Sequence, residues 1–316
     1  MVLAAAGALM PSGTVAQTPA SAPRIAYLDG SDVPAWYDGF RRSLSELGYI
    51  EGRNVTIERR SAEGQGGMLA PLAAELVKLE PQVIVASGSR PALAARDETS
   101  TIPIVIAFAT DPVGLGLVSS LARPGGNVTG LSNLGADLMV KRLELLAELV
   151  PRLSRVGVVW PPRIRDHQLD YRVLEAAAAD LNLPIESFEV DRREDYDSAF
   201  LAASTRVRAV VVLSGPLAFA NRDAIIAAAA RHKVVSIYYD EEYAKSGGLI
   251  SYGPGLASLH RRAAAYVDRI LKGARPQDLP VELPTVFELS INLVAARALG
   301  LAIPPALLAR ADDVIE

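Results

Sequence analysis

The stretch VIVASGSRP, residues 83–91, carries the signal that decides the fold. Its first four residues are apolar and mostly β-branched, which predicts a short buried strand. Ser87, Gly88 and Ser89 end that strand, and a helix is predicted from near Pro91, because proline suits the first turn of a helix. A buried strand that leads into a helix through small residues is half of a right-handed βαβ unit.

The same alternation of strand and helix runs through most of the chain. Strands are predicted over residues 24–28, 54–59, 83–86, 102–108, 155–160, 185–190, 209–213, 234–238 and 248–252. Helices are predicted over residues 36–47, 68–79, 137–149, 171–181, 195–204 and 222–232. Helical connections imply mainly parallel sheets. The strands form two successive blocks, and together they are too numerous for a single sheet. We therefore predict an α/β protein with two doubly wound, Rossmann-like lobes.

The C-terminal part of the sequence is predicted to pass between the two lobes. A long helix over residues 258–271 ends at Gly273 and Pro276. An extended connection is predicted over residues 281–289 and a last helix over residues 290–299. Because no low-complexity linker separates the two blocks, we expect short strands to cross between the lobes.

Composition excludes several classes of protein. The net charge of −4 gives no support for broad nucleic-acid binding, which usually needs a basic face. The sequence contains no cysteine, which excludes disulfides, cysteine-based metal sites and thiol catalysis, but not export. Half of the 316 residues are hydrophobic, which is enough for sizeable cores built mainly from aliphatic side chains.

The N-terminal residues differ from the rest of the chain. Residues 1–10 read MVLAAAGALM, an apolar run about as long as a signal-peptide core, and residues 11–13 break it. Small residues at 14–16 predict cleavage after Ala16, so residues 1–23 are interpreted as a leader and the mature protein as periplasmic. No basic residue precedes the run, which a start codon placed too late would explain. The alternative is a disordered alanine-rich tail, and the run is too short to span a membrane.

Candidate ligand contacts lie where predicted strands end, because open parallel sheets bind ligands outside the carboxyl ends of their strands. Ser87, Gly88 and Ser89 precede a helix whose free N–H groups and dipole suit a carboxylate, although Ser89 can also simply cap that helix. The next strand leads to Thr110, a candidate contact, and to Asp111, for which capping of the following helix is the preferred interpretation.

Further candidates follow the remaining predicted strands. They are Asp29, Trp160, Pro161, Ser214, Tyr238 and Asp240. Trp160 and Tyr238 are predicted to form an apolar wall for a flat ligand, with ordinary packing between helix and sheet as the alternative. The carboxylate of Asp240 either faces the ligand or belongs to a turn or helix cap.

Catalytic motifs are absent from the sequence. It contains no Walker-type phosphate loop and no dinucleotide-binding fingerprint after a strand, and GLSNL at residues 130–134 lacks the last glycine of a nucleophile elbow. His167, His232 and His260 are far apart, have no partner at metal-ligand spacing and are predicted to lie at the surface. These features favour a binding protein without catalytic residues, metal or cofactor.

Four long stretches of the sequence carry a family resemblance. They are LGYIEGRNVTIERRSAEG (residues 47–64), STIPIVIAFATDPVGLGLVSSLARPGGNVTGLSNL (100–134), KRLELLAELVPRL (141–153) and residues 247–316, which begin GGLISYGPG and end ARADDVIE. From residue 24 to residue 316 the chain resembles the ABC transporter substrate-binding proteins of the tryptophan/tyrosine-transporter type.

The resemblance implies a periplasmic-binding-protein fold of type I, with two lobes joined by a three-strand hinge. By analogy, the N-terminal lobe comprises residues 24–129 and 254–283, and the C-terminal lobe comprises residues 130–253 and 284–316. The resemblance also implies delivery of a small-molecule ligand to the transmembrane permease subunits of an ABC transporter with a cytoplasmic ATPase. We expect a monomer that binds no nucleic acid.

Two departures from the family pattern concern the ligand. Residues 160–162 read Trp-Pro-Pro where members often have Asn-Pro, so a polar contact is expected to be missing. Residues 88–91 read GSRP in place of a Gly-Thr-Pro-like loop, which brings Arg90 to the predicted anion site, where it pairs with a ligand carboxylate or points to solvent. Trp36 lies in an aromatic-rich first helix, so an aromatic ligand remains one of the alternatives.

The resulting hypothesis is a clamp that captures a small carboxylate-bearing solute, an amino acid or an aromatic acid, for an ABC importer. The alternatives are a sensory module that reports the ligand to a receptor and an enzyme on the same fold. An acid or base with a shifted pKa beside the cleft, together with turnover, would favour the enzyme. Neighbouring genes for a permease and an ATPase would favour transport.

Overall fold

The predicted strands lie in two separate sheets. The computed structural model describes residues 22–31, 33–163 and 165–316. The leader predicted over residues 1–23, with its cleavage site, lies outside the described residues except for its last two.

The first sheet has five parallel strands in the order β2-β1-β3-β4-β5. The strands are β1 (Arg24–Asp29), β2 (Thr56–Ser61), β3 (Val83–Ser87), β4 (Ile104–Ile106) and β5 (Val128–Gly130). Every residue of β3 is buried, as expected for a central strand covered by helices on both faces. In register, Asp29 lies beside Ser87, so the carboxyl ends of β1 and β3 meet at one edge of the sheet.

The second sheet has seven strands in the order β12-β11-β10-β9-β8-β6-β7. The strands are β6 (Val156–Trp160), β7 (Ile185–Glu189), β8 (Ala209–Val212), β9 (Val235–Tyr238), β10 (Ile250–Gly253), β11 (Glu288–Asn292) and β12 (Asp313–Ile315). All pairs are parallel except β10 with β11, where the chain returns in the opposite direction. The two predicted parallel-sheet lobes are therefore confirmed, with one antiparallel pair added.

Helices cover both sheets. They are α1 (Pro34–Glu46), α2 (Leu69–Lys78), α3 (Ser89–Glu98), α4 (Gly135–Leu149), α5 (Arg165–Asp180), α6 (Asp195–Arg206), α7 (Pro216–Ala220), α8 (Arg222–Arg231), α9 (Glu241–Lys245), α10 (Leu256–Leu271), α11 (Leu293–Ala298) and α12 (Pro305–Leu308). Because α10 packs against α1 and β3, we call the first sheet with α1–α3 and α10 the first lobe. The second sheet with the other helices is the second lobe.

The chain passes between the lobes three times, at residues 131–134, 254–255 and 283–287. Two of these crossings run side by side, because Leu131 and Glu282 form a parallel bridge and the Ser132 N–H donates to the Glu282 carbonyl at 2.9 Å. Short extended segments of this kind bend by small changes at a few backbone torsions, which suits a hinge.

The helix predicted over residues 290–299 is wrong in its first part. Ser290 and Ile291 are fully buried in β11, between β10 and β12. The helix begins only after Asn292, whose side-chain oxygen accepts a hydrogen bond from the Ala295 N–H at 2.9 Å and caps α11. A run of apolar residues that fills the middle of a sheet cannot be told from a short helix by spacing alone.

Gly130→Ala is expected to destabilise the protein by about 2–4 kcal/mol. Gly130 has a φ of +133°, and an added Cβ would lie 2.2 Å from the Ile106 carbonyl oxygen on the neighbouring strand. Gly126→Ala is the matched control, because no atom lies within 4 Å of its Cβ position, and it should change stability by less than about 0.5 kcal/mol. Urea unfolding followed by circular dichroism measures both, and equal effects would contradict the steric explanation.

Candidate functional site

A narrow cavity lies between the two lobes, at the carboxyl ends of the strands of both sheets, and about 50 Å³ of it is open to the centre of a water-sized sphere. Its apolar wall is formed by Trp36, Pro91, Phe108, Phe219, Tyr239 and Leu256. Its polar wall is formed by Ser31, Ser89, Arg90, Thr110, Asn133, His167, Asp170 and Ser214, with Gly88 and Gly215 as further lining residues.

The two lobes touch through aromatic side chains beside this cavity. Trp36 of α1 and Phe219 of α7 lie with their ring centroids 4.4 Å apart, and each ring is almost fully buried. Phe108 packs edge-on against Trp36 at 5.6 Å. Since α1 belongs to the first lobe and α7 to the second, the contact holds the lobes in a closed arrangement.

The Trp36 ring is supported from the first lobe by His260 of α10. The two rings are stacked, with centroids 5.0 Å apart and an angle of 16° between their planes. The His260 Nδ1 lies 2.7 Å from the Leu256 carbonyl and must donate, so Nε2 accepts from the Ser87 hydroxyl at 2.9 Å. Burial lowers the pKa of His260 to about 4, so the ring is neutral near pH 7.

The first lobe contributes a helix N-terminus to the polar wall. Gly88 precedes α3 with a φ of +118°, a conformation that glycine adopts without strain. No acidic residue lies in the first turn of α3, and no side chain caps it, so the positive end of the helix dipole remains uncompensated there. Arg90 lies in the same turn and forms no ion pair with any carboxylate that the structure describes. This wall therefore attracts anions.

The second lobe contributes His167 and Asp170, which lie three residues apart on one face of α5. Both side chains are buried at the cavity wall. Nε2 of His167 lies 2.5 Å from the Ser214 carbonyl, and burial is the main cause that lowers the pKa of this histidine to about 4. Asp170 interacts electrostatically with the buried guanidinium of Arg142, whose Nε donates to the Tyr252 carbonyl at 2.9 Å. The second lobe thus presents a neutral imidazole and a carboxylate.

Asp240 joins the lobes at the hinge. Its side chain caps α9 by accepting from the Glu242 N–H at 3.0 Å, and it accepts from the Leu256 N–H, at the start of α10, at 3.2 Å. Burial raises the pKa of Asp240 to about 7, because the two hydrogen bonds only partly offset the loss of hydration.

The structure brings six of the predicted ligand residues to the cavity wall. They are Trp36, Gly88, Ser89, Arg90, Thr110 and Ser214. The Ser89 hydroxyl accepts from the Thr110 N–H at 3.3 Å, so these two residues also stabilise each other. None of them is shown to bind a ligand by its position alone, and their roles stay predictions.

The structure places the other seven predicted residues away from the cavity wall. They are Asp29, Ser87, Asp111, Trp160, Pro161, Tyr238 and Asp240. Asp29 is fully buried and pairs with Arg59 at 3.0 Å. Asp111 accepts from the Gly114 N–H at 2.8 Å and so stabilises a turn, and the preferred interpretation of a helix cap is wrong, because no helix follows it before β5.

The two aromatic residues expected to form a wall pack inside the second lobe instead. Trp160 stacks on Tyr171 at 4.4 Å and donates its indole N–H to the Ser187 hydroxyl at 2.8 Å. Tyr238 stacks on Tyr243 at 4.5 Å. The alternative of ordinary packing therefore describes both rings, and Phe219 and Tyr239 take their place at the cavity.

The prediction that the histidines lie at the surface is wrong for two of the three. His167 is 4% exposed and His260 is fully buried, because each ring fills space beside an aromatic or glycine-lined wall and has a backbone carbonyl as partner. His167 and Asp170 were missed, although they occupy the first turns of the helix that follows a strand end. Ser31, Phe108 and Asn133, also missed, follow other strand ends.

The family comparison agrees with this geometry. The family model described as ABC transporter substrate binding protein matches residues 25–315. The chain belongs to this family. The predicted resemblance is thereby confirmed, and the substrate-binding protein has the type I periplasmic-binding-protein fold.

Known relatives match most of the chain. The substrate-binding protein is 27% identical to the tyrosine-binding protein of Clostridioides difficile (strain R20291) over 264 residues, 83% of this chain and 76% of that protein. It is 30% identical to a conserved domain protein from Vibrio cholerae, with a TM-score of 0.88 over 93% of this chain and 99% of that one. An ABC domain from Streptococcus pneumonia, solved in complex with L-Trp, is 26% identical with a TM-score of 0.86, covering 93% and 100% of the two chains.

Within residues 22–31, 33–163 and 165–316, no helix has the length and apolar character needed to cross a bilayer. The same part of the chain contains no group of three or more histidine, cysteine, aspartate or glutamate side chains placed to hold a metal ion.

Phe219→Ala is expected to expose Trp36 to water, because Phe219 covers it from the opposite lobe. The measurement uses a Trp160→Phe background, which leaves Trp36 as the one tryptophan of the chain. The emission maximum should shift to longer wavelength in the double variant. Phe287→Ala, a half-buried ring next to Tyr252, serves as control, and an unshifted spectrum for Phe219→Ala would contradict the closed contact.

Asp240→Asn tests the buried hinge carboxylate. A raised native pKa means that the folded protein binds more protons than the unfolded chain between about pH 4 and pH 7. The contribution of Asp240 to stability is therefore fully present below the unfolded pKa and falls as the pH rises towards 7. The free energy of unfolding of Asp240→Asn, relative to wild type, should rise over this range.

Urea unfolding at pH 4, 5.5 and 7 measures the difference between wild type and Asp240→Asn. Because the buried histidines titrate in both proteins, the comparison isolates the carboxylate. A difference that stays constant from pH 4 to pH 7 would refute the raised pKa.

Proposed function

We propose that the protein is the periplasmic receptor of an ABC importer and captures an aromatic amino acid, or a related aromatic acid, between its lobes. The observation that carries the proposal is a cavity between two closed lobes that has an aromatic wall and a cationic corner. The printed names of a tyrosine-binding relative and of an L-Trp complex support the same ligand class.

The ligand carboxylate is proposed to bind at the N-terminus of α3. There, backbone N–H groups, the helix dipole and the Arg90 guanidinium all favour a negative charge. Ser89 and Thr110 lie at the same corner and can add hydrogen bonds. An uncharged ring-bearing molecule would leave these groups without a partner, which a buried site disfavours.

The ligand side chain is proposed to lie against Trp36, Phe108, Phe219 and Tyr239. Aromatic rings in such a wall bury a large apolar area and favour stacked or edge-on contacts with a flat ligand. The buried indole N–H of Trp36 has no acceptor among the residues that the structure describes, so it offers one further donor to the ligand.

Ligand capture is proposed to work as hinge closure. Arg90 belongs to the first lobe and Asp170 to the second, so a ligand that contacts both stabilises the closed form more than the open one. The proposed lobes are residues 24–129 with 254–283, and residues 130–253 with 284–316. We propose that the protein acts as a monomer and passes the ligand to permease subunits driven by a cytoplasmic ATPase.

We propose that the protein carries out no chemistry on the ligand. His167 and His260 are the buried histidines closest to the cavity, and each directs its N–H to a backbone carbonyl. With pKa values of about 4, neither is poised to transfer a proton near pH 7.

Isothermal titration against L-tryptophan, L-tyrosine, L-phenylalanine and their deamino acids, with L-alanine and myo-inositol as unrelated solutes, tests the proposal. We expect binding of at least one aromatic compound and none of the unrelated solutes. Arg90→Gln should weaken that binding about 10- to 100-fold, since it removes a charge-assisted hydrogen bond to the carboxylate.

Arg42→Gln is the matched control, because Arg42 is exposed on α1. It should leave the dissociation constant unchanged. Failure of every aromatic compound to bind would overturn the ligand class, and an Arg90→Gln variant that binds as tightly as wild type would overturn the carboxylate site.

A further inference from the structure

The neutral ring of His167 carries a proton on one of its two nitrogens, and the hydrogen-bond partner identifies which nitrogen is protonated. The Ser214 carbonyl lies 2.5 Å from Nε2, and a carbonyl oxygen only accepts hydrogen bonds. Nε2 is therefore the donor. Burial, together with the positive charge of Arg90 across the cavity, keeps the ring neutral. Nδ1 is consequently an unprotonated acceptor.

This acceptor has no hydrogen-bond partner in the part of the chain that the structure describes. Nδ1 of His167 is buried and accepts no hydrogen bond from any residue that the structure describes. The ring itself is 4% exposed and lines the cavity between the lobes. A buried acceptor that lacks a donor is unfavourable, so a bound molecule that supplies one gains affinity.

Asp170 shares the cavity wall with His167 and also interacts electrostatically with the buried Arg142 guanidinium. Asp170, one helical turn further along α5, lines the same cavity and places a carboxylate on the same face. Gly215 leaves room for the imidazole, because a Cβ there would lie 2.4 Å from Nε2. The anion-attracting corner at Arg90 belongs to the opposite lobe. The second lobe therefore suits the positive end of a zwitterion.

We propose that His167 Nδ1 accepts a hydrogen bond from the α-ammonium group of the ligand, next to Asp170, and that this residue makes the site selective for amino acids over deamino acids. The inference rests on the proposed function, because it assigns a second contact within the same site. A zwitterion bound in this way spans the cleft, with its carboxylate on the first lobe and its ammonium group on the second.

The test compares dissociation constants for two matched pairs, L-tryptophan with indole-3-propionate and L-tyrosine with 3-(4-hydroxyphenyl)propionate. His167→Gln keeps a donor for the Ser214 carbonyl but has no acceptor at the position of Nδ1, because its carbonyl oxygen is bonded to the carbon that bears Nε2. We expect the preference of wild type for each amino acid over its deamino acid to fall about tenfold in the variant. His232→Gln, at a half-buried histidine paired with the exposed Asp197 and absent from the cavity wall, should leave the preference unchanged.

The outcomes separate the two proposals. A preference that is the same in wild type and His167→Gln overturns the role of His167 and leaves the aromatic ligand class standing. Wild type that binds none of the four compounds overturns the proposed function, and this inference with it.

A second measurement uses only the wild-type protein and so does not depend on the folding of a variant. In protein labelled with ¹⁵N in the histidine rings, the Nδ1 resonance of His167 should move when L-tryptophan is added, in the direction of a hydrogen-bonded acceptor. Indole-3-propionate should not move it. An Nδ1 resonance that responds identically to both compounds overturns the proposal.

Discussion

The contact between Trp36 and Phe219 is the interaction on which the rest of the site depends. The two lobes have separate sheets and are connected covalently only by three short crossings, so their relative position has to be set by surfaces that meet. Two buried aromatic rings at 4.4 Å contribute on the order of a few kcal/mol to the closed form. A contribution of this size favours the closed form, and it is small enough that ligand binding can still change the equilibrium between the open and closed forms.

Burial sets the electrostatics of the site. It lowers the pKa of His167 and His260 to about 4, so both rings are neutral near pH 7, and it raises the pKa of Asp240 to about 7. The charges that remain at the cavity are divided between the lobes, with Arg90 on the first and Asp170 on the second. Under the proposed function, a ligand with charges of both signs contacts both lobes and so stabilises the closed form.

Local sequence rules were sufficient for the architecture and for part of the site. Runs such as residues 83–86 and 209–213 are apolar because their strands are covered on both faces, and the residues after them, Gly88, Ser89 and Ser214, line the cavity as the strand-end rule predicts. The rule failed where a strand end is itself covered. Trp160 ends β6 but stacks on Tyr171 of α5. The local sequence pattern does not predict where that helix packs, so it could not predict this contact.

The residues missed by sequence reasoning depend on contacts between distant parts of the chain. His260 is far from Trp36 in sequence, and only the return of α10 to the first lobe brings their rings together. A polar residue such as His167 on a helix has the pattern of a surface residue, yet it is buried against Ser214 and Gly215, which lie far along the chain. No local period of hydrophobic residues encodes such a contact.

The most direct measurement is a crystal structure of the protein with a bound aromatic amino acid. The account predicts that the ligand lies between the lobes, with its ring against Trp36 and Phe219, its carboxylate at the N-terminus of α3 and its ammonium group beside Asp170. A ligand bound to one lobe alone, or a complex in which the lobes stay apart, would contradict it.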